Sequence, residues 1–459
     1  MSEKYDAIII GTGQAGPALA VRLAKAGKKT AIIERKLFGG TCVNVGCVPT
    51  KTLVASARAA YLARRAGDFG VMIDGAVRVD MARVKARKDA VVKQSSEGLT
   101  AWINGTPNLT VIEGHGRLES AHAVRINETV LEAQQIFLYV GARASVPDIP
   151  GLSDIAYLTN SSMMDIDFLP EHLIIVGGSY IGLEFAQMYR RFGSRVTIIE
   201  SGARLIARED ETVSAAIQTI LEGEGIDIRL NAERLNVAKH GKGITVNLSC
   251  AKVSEKITGS HLLLAVGRIP NTADLGLDQA GIKTDEHGYI VVDDQLRTNV
   301  AGVWALGDAN GRGAFTHTSY NDYEIVAANL LDHGKRRVTD RIPAYALYID
   351  PPLARVGLTE REVIASGRPA LVGRMLMSRV GRARERGETL GNMSVLVDAE
   401  TKKILGAALL GIEADEAIHA LLDIMYADVP YTVIQRAMHI HPTVSELIPT
   451  LLGDLKPLV

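Results

Sequence analysis

Cysteine is scarce: Cys42, Cys47 and Cys250 are the only three in a chain of 459 residues. Three cannot staple a secreted fold, and such usage points to a reducing, cytoplasmic compartment. Aromatic residues make up 5%, too few for the stacking platform of a single-strand nucleic-acid binder. A basic excess is also missing, with 51 Lys and Arg against 52 Asp and Glu and a formal net charge of -1. No nucleic-acid partner is therefore expected. No apolar run approaches the roughly 18 residues of a membrane span. No charged leader with an apolar stretch precedes the first strand signal at Tyr5, so neither a targeting segment nor a membrane partner is expected. What remains, 47% hydrophobic and 22% charged, is the composition of a globular protein and excludes disorder.

Length points to about three domains. Glycine, 44 of 459, exceeds the usual share of about 7%, so its positions matter. Residues 5–10 read as a buried parallel strand, 15–26 as a helix and 29–33 as a second strand. The pattern returns at 172–176, 180–192 and 195–199. Two β-α-β units imply an α/β protein with two Rossmann-like dinucleotide-binding domains. Pro147, Pro150 and Gly151 mark a boundary, 261–266 reads as a strand closing the second unit, and Gly302–Asp308 as a strand-to-loop transition. After Arg341 the character becomes α+β, with strands at 395–397 and 404–410 and an amphipathic helix at 414–425. The expected division is 1–148 and 266–340 for the first nucleotide domain, 149–265 for the second, and 341–459 for an interface domain.

Gly11-Thr-Gly13-Gln-Ala-Gly16 follows a strand and opens a helix. Gly11 allows the tight turn, Gly13 the approach of a pyrophosphate and Gly16 close helix–strand packing. Glu34, 23 residues past Gly11 at the end of the next strand, can accept hydrogen bonds from an adenosine ribose. The second loop runs Gly177-Gly178-Ser179-Tyr180-Ile181-Gly182, with Glu200 again 23 residues past its first glycine. Ser179 replaces the middle glycine, which hampers close approach. An acid at 200 accepts from a free 2′-hydroxyl and repels a 2′-phosphate, so NADH is favoured over NADPH. Arg204 and Arg208 soften that preference.

The stretch 39–51, Gly-Gly-Thr-Cys-Val-Asn-Val-Gly-Cys-Val-Pro-Thr-Lys, is the most informative. Two cysteines without a partner pair do not make a zinc site. In an ideal helix residues five apart have Cα atoms about 8.6 Å apart; a disulfide needs about 4.4–6.8 Å. A bond between Cys42 and Cys47 therefore demands a distorted turn, for which Gly46 supplies freedom. A helix start beside the thiols, where Pro49 is tolerated, favours thiolate. A strained disulfide in a reducing compartment is usually catalytic.

These motifs resemble those of the flavoprotein disulfide reductases, the family of dihydrolipoamide dehydrogenase, glutathione reductase and mercuric reductase. The resemblance spans essentially the whole chain. It rests on the loop at 11–16, the cysteine stretch, the loop at 177–184, Gly267-Arg268-Ile269-Pro270-Asn271, Thr298 through Asp308, and His441-Pro442-Thr443 with Glu446. It implies FAD at the first loop and NAD(P)H at the second. It assigns Asp308 to the flavin ribityl chain, Cys47 to receiving electrons, and Cys42 to attacking substrate. Spacing alone does not distinguish the two thiols. Lys51 and Glu184 match an ion pair beside the flavin ring, and Tyr180 a residue covering the nicotinamide pocket. His441 matches a base oriented by Glu446 and supplied by the second subunit, which implies a homodimer. His439 reads as a packing or rim residue, and Cys250 as a small buried hydrophobe.

The tail 450–459 lacks the cysteine pair of mercuric reductases and the redox tail of large thioredoxin reductases. The second loop lacks the paired basic residues expected of glutathione reductase. Phe315-Thr-His-Thr-Ser-Tyr-Asn-Asp322, Asp350-Pro351-Pro352 and the bare tail look more like the reactive-chlorine-resistance group. The implied activity is NAD(P)H-linked reduction of a small oxidised thiol or disulfide, a hypothiocyanous-acid-like oxidant or a metal ion. Dihydrolipoamide dehydrogenase, or a mercuric reductase without the terminal cysteines, is the alternative. A single-cysteine NADH oxidase is disfavoured by the intact pair.

Overall fold

A computed structural model describes residues 2–250 and 253–458. The first sheet is parallel through Leu109–Glu113, Thr30–Glu34, Ser2–Ile10 and Thr129–Leu138, in that order. Ile8, Ile9, Ile32, Ile33, Ile136 and Phe137 are completely or almost completely buried, as strands covered on both faces require. Thr129–Leu138 is long enough to carry two neighbours on its far edge. Its first half pairs antiparallel with Ala123–Ile126, and its last residues pair parallel with Val303–Ala305. A segment far along the chain thus completes the first sheet. It feeds a short turn of helix, Gly307–Asn310, that carries Asp308.

The second sheet is wholly parallel, in the order Asp227–Arg229, Arg195–Ile199, His172–Val176 and His261–Leu264. The helix Tyr180–Phe192 and the two strands around it match the expected bounds. An antiparallel meander of Ala232–His240, Gly243–Cys250 and Val253–Gly259 packs beside it. Cys250 is half-buried there and not fully enclosed. The closing strand ends at Leu264, short of Val266, which is exposed.

The C-terminal part is a six-stranded antiparallel sheet ordered Ala344–Leu347, Leu353–Gly357, Ile404–Leu410, Asn392–Asp398, Ala370–Leu376 and Lys456–Pro457. The single helix expected at 414–425 is two pieces, Ala414–Ala417 and His419–Tyr426. At the junction the Leu421 amide bonds Ile418 O, one residue nearer than an α-helical ladder allows. The apolar spacing survives the break, and Ala417, Ile418 and Leu421 are buried. The architecture is α/β with two Rossmann-like units and an α+β C-terminal part.

One core joins all three parts. Leu53 and Ala57 of helix Cys47–Arg64 pack with Leu183 and Phe185 of helix Tyr180–Phe192 and with Leu347, Leu353 and Leu410 of the last sheet. Ion pairs brace the same junction. Arg58 bonds Asp350 at 2.5 Å and Glu388 at 2.7 Å, and Arg191 bonds Asp350 and Glu224. The helix that begins at Cys47 is therefore held rigidly against both other parts.

Candidate active site

The two glycine loops are built alike. Gly11 has φ +113° and Gly177 φ +116°, and a Cβ at either would strike the carbonyl of the strand behind it, Tyr139 O at 2.0 Å and Ala265 O at 2.4 Å. Only glycine fits. The last glycine of each motif faces the first: a Cβ on Gly16 would lie 2.2 Å from Gly11 O, and one on Gly182 2.0 Å from Gly177 O. The close packing expected of Gly16 is thus against the loop's own backbone. Glu34 accepts from Thr12 N at 3.1 Å and Thr12 Oγ1 at 2.6 Å, and Glu200 accepts from Gly178 N at 2.6 Å and Gly202 N at 2.7 Å. Each acid ties its strand end to its loop. Arg204 turns inward, donating to Ala207 O at 3.0 Å and Glu209 O at 3.3 Å.

A cavity of about 1230 Å³ opens beside the first loop. Gly11, Gly13 and Glu34 line it, and so do Cys42, Cys47, Lys51, Tyr180, Glu184 and Asp308. Gly16, Gly177, Gly182, Glu200 and Gly267 are not in its wall. Gly267 is exposed with φ +125° and no atom within 4 Å of a built Cβ. Asp308 is pushed above the ordinary carboxylate range by burial, with Arg268 Nε 3.6 Å away opposing that shift. The cavity exceeds the roughly 300–1,000 Å³ of common small-molecule sites. Its loop wall is bare backbone at Gly11 and Gly13, so it fits a dinucleotide.

The chain breaks between the cysteines. Cys42 lies in the short helix Gly40–Asn44 and Cys47 begins the long helix Cys47–Arg64. Gly46 sits at the break, where a Cβ would lie 2.7 Å from Thr41 O. The missing side chain lets the backbone turn tightly there, so Cys42 and Cys47 meet across a break and not along one helix. No covalent bond joins the thiols in this structure. Their closeness splits their ionisation. Cys47 is pushed down to about 6, chiefly by Cys42, with Thr316 and Lys51 assisting. Cys42 is pushed up by Cys47 and by burial. Cys47 is exposed, but toward the cavity, so the walls still desolvate it and oppose ionisation.

Lys51 follows Cys47 by one helical turn and shares its face. Its Nζ lies 2.9 Å from both carboxylate oxygens of Glu184, one turn beyond Tyr180 on the facing helix. Tyr348 locks the pair: its amide donates to Glu184 Oε1 at 2.9 Å, and Lys51 Nζ lies 4.7 Å from its ring centre. Thr316, the first residue of helix Thr316–Leu331, brings its hydroxyl 3.1 Å from Cys47 Sγ. Thr316 lies within the stretch 315–322 that resembles the reactive-chlorine-resistance group, but nothing in that stretch points to its hydroxyl.

His441 is not brought to this cavity. Its side chain is 80% exposed, and Nδ1 lies 2.9 and 3.1 Å from the carboxylate oxygens of Glu446. His439 is half-buried with Nδ1 3.0 Å from Ala437 O. Among the described residues no helix is long and apolar enough to cross a membrane, and no cluster of three or more His, Cys, Asp or Glu could hold a metal.

Residues 5–322 match the family described as pyridine nucleotide-disulphide oxidoreductase, and residues 343–452 match the dimerisation domain of the same family. The chain is 37% identical over 462 residues to the probable pyridine nucleotide-disulfide oxidoreductase RclA of Escherichia coli (strain K12), covering 99% of this chain and 100% of that protein. It is 32% identical over 449 residues to a mercuric reductase of Streptomyces lividans, covering 97% and 94%. The solved Cu(II) complex of the HOCl-induced flavoprotein disulfide reductase RclA from Escherichia coli superimposes with a TM-score of 0.89 at 36% identity, over 98% of this chain and 99% of that one.

Proposed function

From a chain that belongs to the pyridine nucleotide-disulphide oxidoreductase family, whose members use FAD and NAD(P)H, we propose a cytoplasmic, homodimeric enzyme that reduces a small oxidised sulfur species or a related oxidant. The observation that carries this reading is the Cys42 and Cys47 thiol pair in the cavity wall, beside the Lys51–Glu184 ion pair. FAD would sit against Gly11, Gly13, Glu34 and Asp308, and NAD(P)H would enter beside Tyr180. Bound there, the two cofactors supply hydride and electron-pair transfer to the Cys42–Cys47 disulfide.

The chain's own residues supply the rest. Cys42 is held as a thiol, so it needs a base before it attacks. The free Nε2 of His441 of the partner subunit is suited to take that proton, because Glu446 occupies Nδ1. With a disulfide substrate, Cys42 Sγ bonds one substrate sulfur and the substrate S–S bond breaks. The departing thiolate recovers the proton from the imidazolium. The Cys47 thiolate then attacks Cys42 Sγ, expels the second substrate thiolate and closes the Cys42–Cys47 disulfide. Two electrons leave the pair. With hypothiocyanous acid the same two attacks release hydroxide and then thiocyanate. Lys51, fixed by Glu184, places a cation where it favours charge on Cys47 and on a reduced flavin.

A relative described as HOCl-induced puts products of reactive chlorine first among substrates. NADH-coupled assays with hypothiocyanous acid, lipoamide, glutathione disulfide, Hg(II) and Cu(II) test this. The highest kcat/KM is expected with hypothiocyanous acid, and turnover of lipoamide alone would replace this reading by dihydrolipoamide oxidation. NADH is expected to exceed NADPH by about tenfold or more in kcat/KM, because a 2′-phosphate would face Glu200 and like charges in contact cost several kcal/mol. Equal efficiencies would sink the assignment of Glu200.

The thiolate on Cys47 is expected to be present above pH 6 and lost as pH falls through about 6. Thr316→Val removes a hydrogen bond to the charged form, so the midpoint should rise by about one unit, and Thr316→Ser should restore it. Ultraviolet thiolate absorbance of the reduced enzyme against pH measures this. An unmoved midpoint in the valine variant would show that the hydroxyl only packs.

A further inference from the structure

Glu209 belongs to no motif, yet its side chain is completely buried, 0% exposed. It lies in the loop ahead of helix Glu211–Gly223. Three side chains converge on it, two from the C-terminal sheet and one from helix Tyr180–Phe192. Arg355 Nε donates to Oε2 at 2.7 Å. Tyr345 OH donates to Oε1 at 2.6 Å, and Tyr180 OH donates to the same oxygen at 3.3 Å. Arg355 also bonds Asp210 at 2.5 Å. Tyr345 and Arg355 stand opposite each other in register on the paired strands Ala344–Leu347 and Leu353–Gly357. They form a fixed base on the C-terminal sheet. Tyr180, by contrast, sits at the first position of its helix and lines the cavity.

The three bonds are unequal, and the inequality decides what can move. Breaking either of the shorter two would leave a buried carboxylate short of its best donor, which is costly. Breaking the 3.3 Å bond to Tyr180 leaves Glu209 still held by Arg355 and Tyr345. The ring also packs against the core that joins the three parts and makes edge contacts, 5.7 Å to Tyr345 and 6.0 Å to Phe315 between centroids. Phe315 is itself stacked on Tyr345 at 5.3 Å. Burial and Glu209 push the Tyr180 hydroxyl up to about 12, so it remains a donor at neutral pH.

We propose that Glu209 is a positioning residue that latches Tyr180 across the cavity, with Tyr345 competing for the same carboxylate oxygen and so setting how readily the latch releases. This rests on the reading above that the nicotinamide enters beside Tyr180. A coenzyme that must displace the ring binds with its intrinsic affinity reduced by the fraction of open molecules. The two tyrosine hydroxyls therefore act in opposite directions. Losing the Tyr180 hydroxyl frees the ring. Losing the Tyr345 hydroxyl makes Oε1 a better acceptor for Tyr180 and tightens the latch.

Calorimetric titration of the FAD-loaded enzyme with NAD+, beside the KM for NADH, tests the proposal. Tyr180→Phe should lower the Kd for NAD+ by about three- to tenfold, the value of one hydrogen bond. Tyr345→Phe should raise it, and the double variant should follow Tyr180→Phe. Unchanged or weaker binding in Tyr180→Phe, or shifts of the same sign in both variants, would overturn the latch. Tyr180→Ala separates the two claims. If it changes NAD+ binding while Tyr180→Phe does not, the latch alone fails. If it too leaves NAD+ binding and the KM for NADH at wild-type values, the coenzyme does not enter there and the underlying reading fails with it.

Discussion

Cys47→Ser and Cys42→Ser are each expected to lower disulfide-reducing turnover by about a thousandfold or more, since neither can close a disulfide and a serine hydroxyl is a poor substitute nucleophile. The two variants should part company in their spectra. Cys42→Ser keeps the thiolate on Cys47, and its hydroxyl can still donate where the Cys42 thiol did. The long-wavelength band of a thiolate against flavin is expected to survive in it and vanish in Cys47→Ser. Cys42→Ala goes further, because it removes the largest cause of the low value at Cys47. Its thiolate band should titrate well above pH 6, toward the ordinary thiol range. A band lost in Cys42→Ser and kept in Cys47→Ser would exchange the two roles. Absorbance against pH on the FAD-loaded variants, alongside NADH-coupled turnover, reads both effects.

The β-α-β units could be read because their signals are local. The strand 172–176, helix 180–192 and strand 195–199 each combine an apolar run with glycine punctuation, and nothing tertiary overrides them. Val303–Ala305 is different. It falls where Gly302–Asp308 reads as a strand-to-loop transition, but three residues carry no sign of their partner, the far edge of Thr129–Leu138, whose backbone groups they satisfy. The break at Ile418 was invisible because apolar spacing is the same on both sides of it. At the site, the glycine loops, cysteine pair, Lys51, Glu184, His441 and Glu446 stood out through ordered motifs. The fold brings Lys51 to Glu184 and Cys42 to Cys47, but leaves His441 and the second loop's glycines outside the cavity wall. Thr316, Glu209, Tyr345 and Arg355 matter through convergence in space, and no spacing along a chain encodes it.

His441→Ala is expected to cost about 10²- to 10⁴-fold in turnover, the range of general acid–base catalysis, while leaving the Cys47 thiolate band in place. The geometry of one chain supports the proposal that the partner supplies this base. His441 faces solvent, and its neighbours Met438 and Ile440 are 100% and 80% exposed. Large apolar side chains so placed mark a surface made to be covered, and residues 343–452 match a dimerisation domain. Mixed dimers decide the matter. In a dimer of one Cys42→Ser chain and one His441→Ala chain, a base acting across the interface leaves one site whole, the thiols of the second chain with the imidazole of the first. Such dimers, isolated with two affinity tags, should recover about half the wild-type turnover if the base acts in trans. A base acting within its own chain leaves both sites broken and the mixed dimer inactive, and that result would remove His441 from the shared site. Glu446→Gln should cost less than His441→Ala, because the amide oxygen can still accept from Nδ1–H and hold the tautomer. What it loses is the charge that steadies the imidazolium formed when His441 takes a proton.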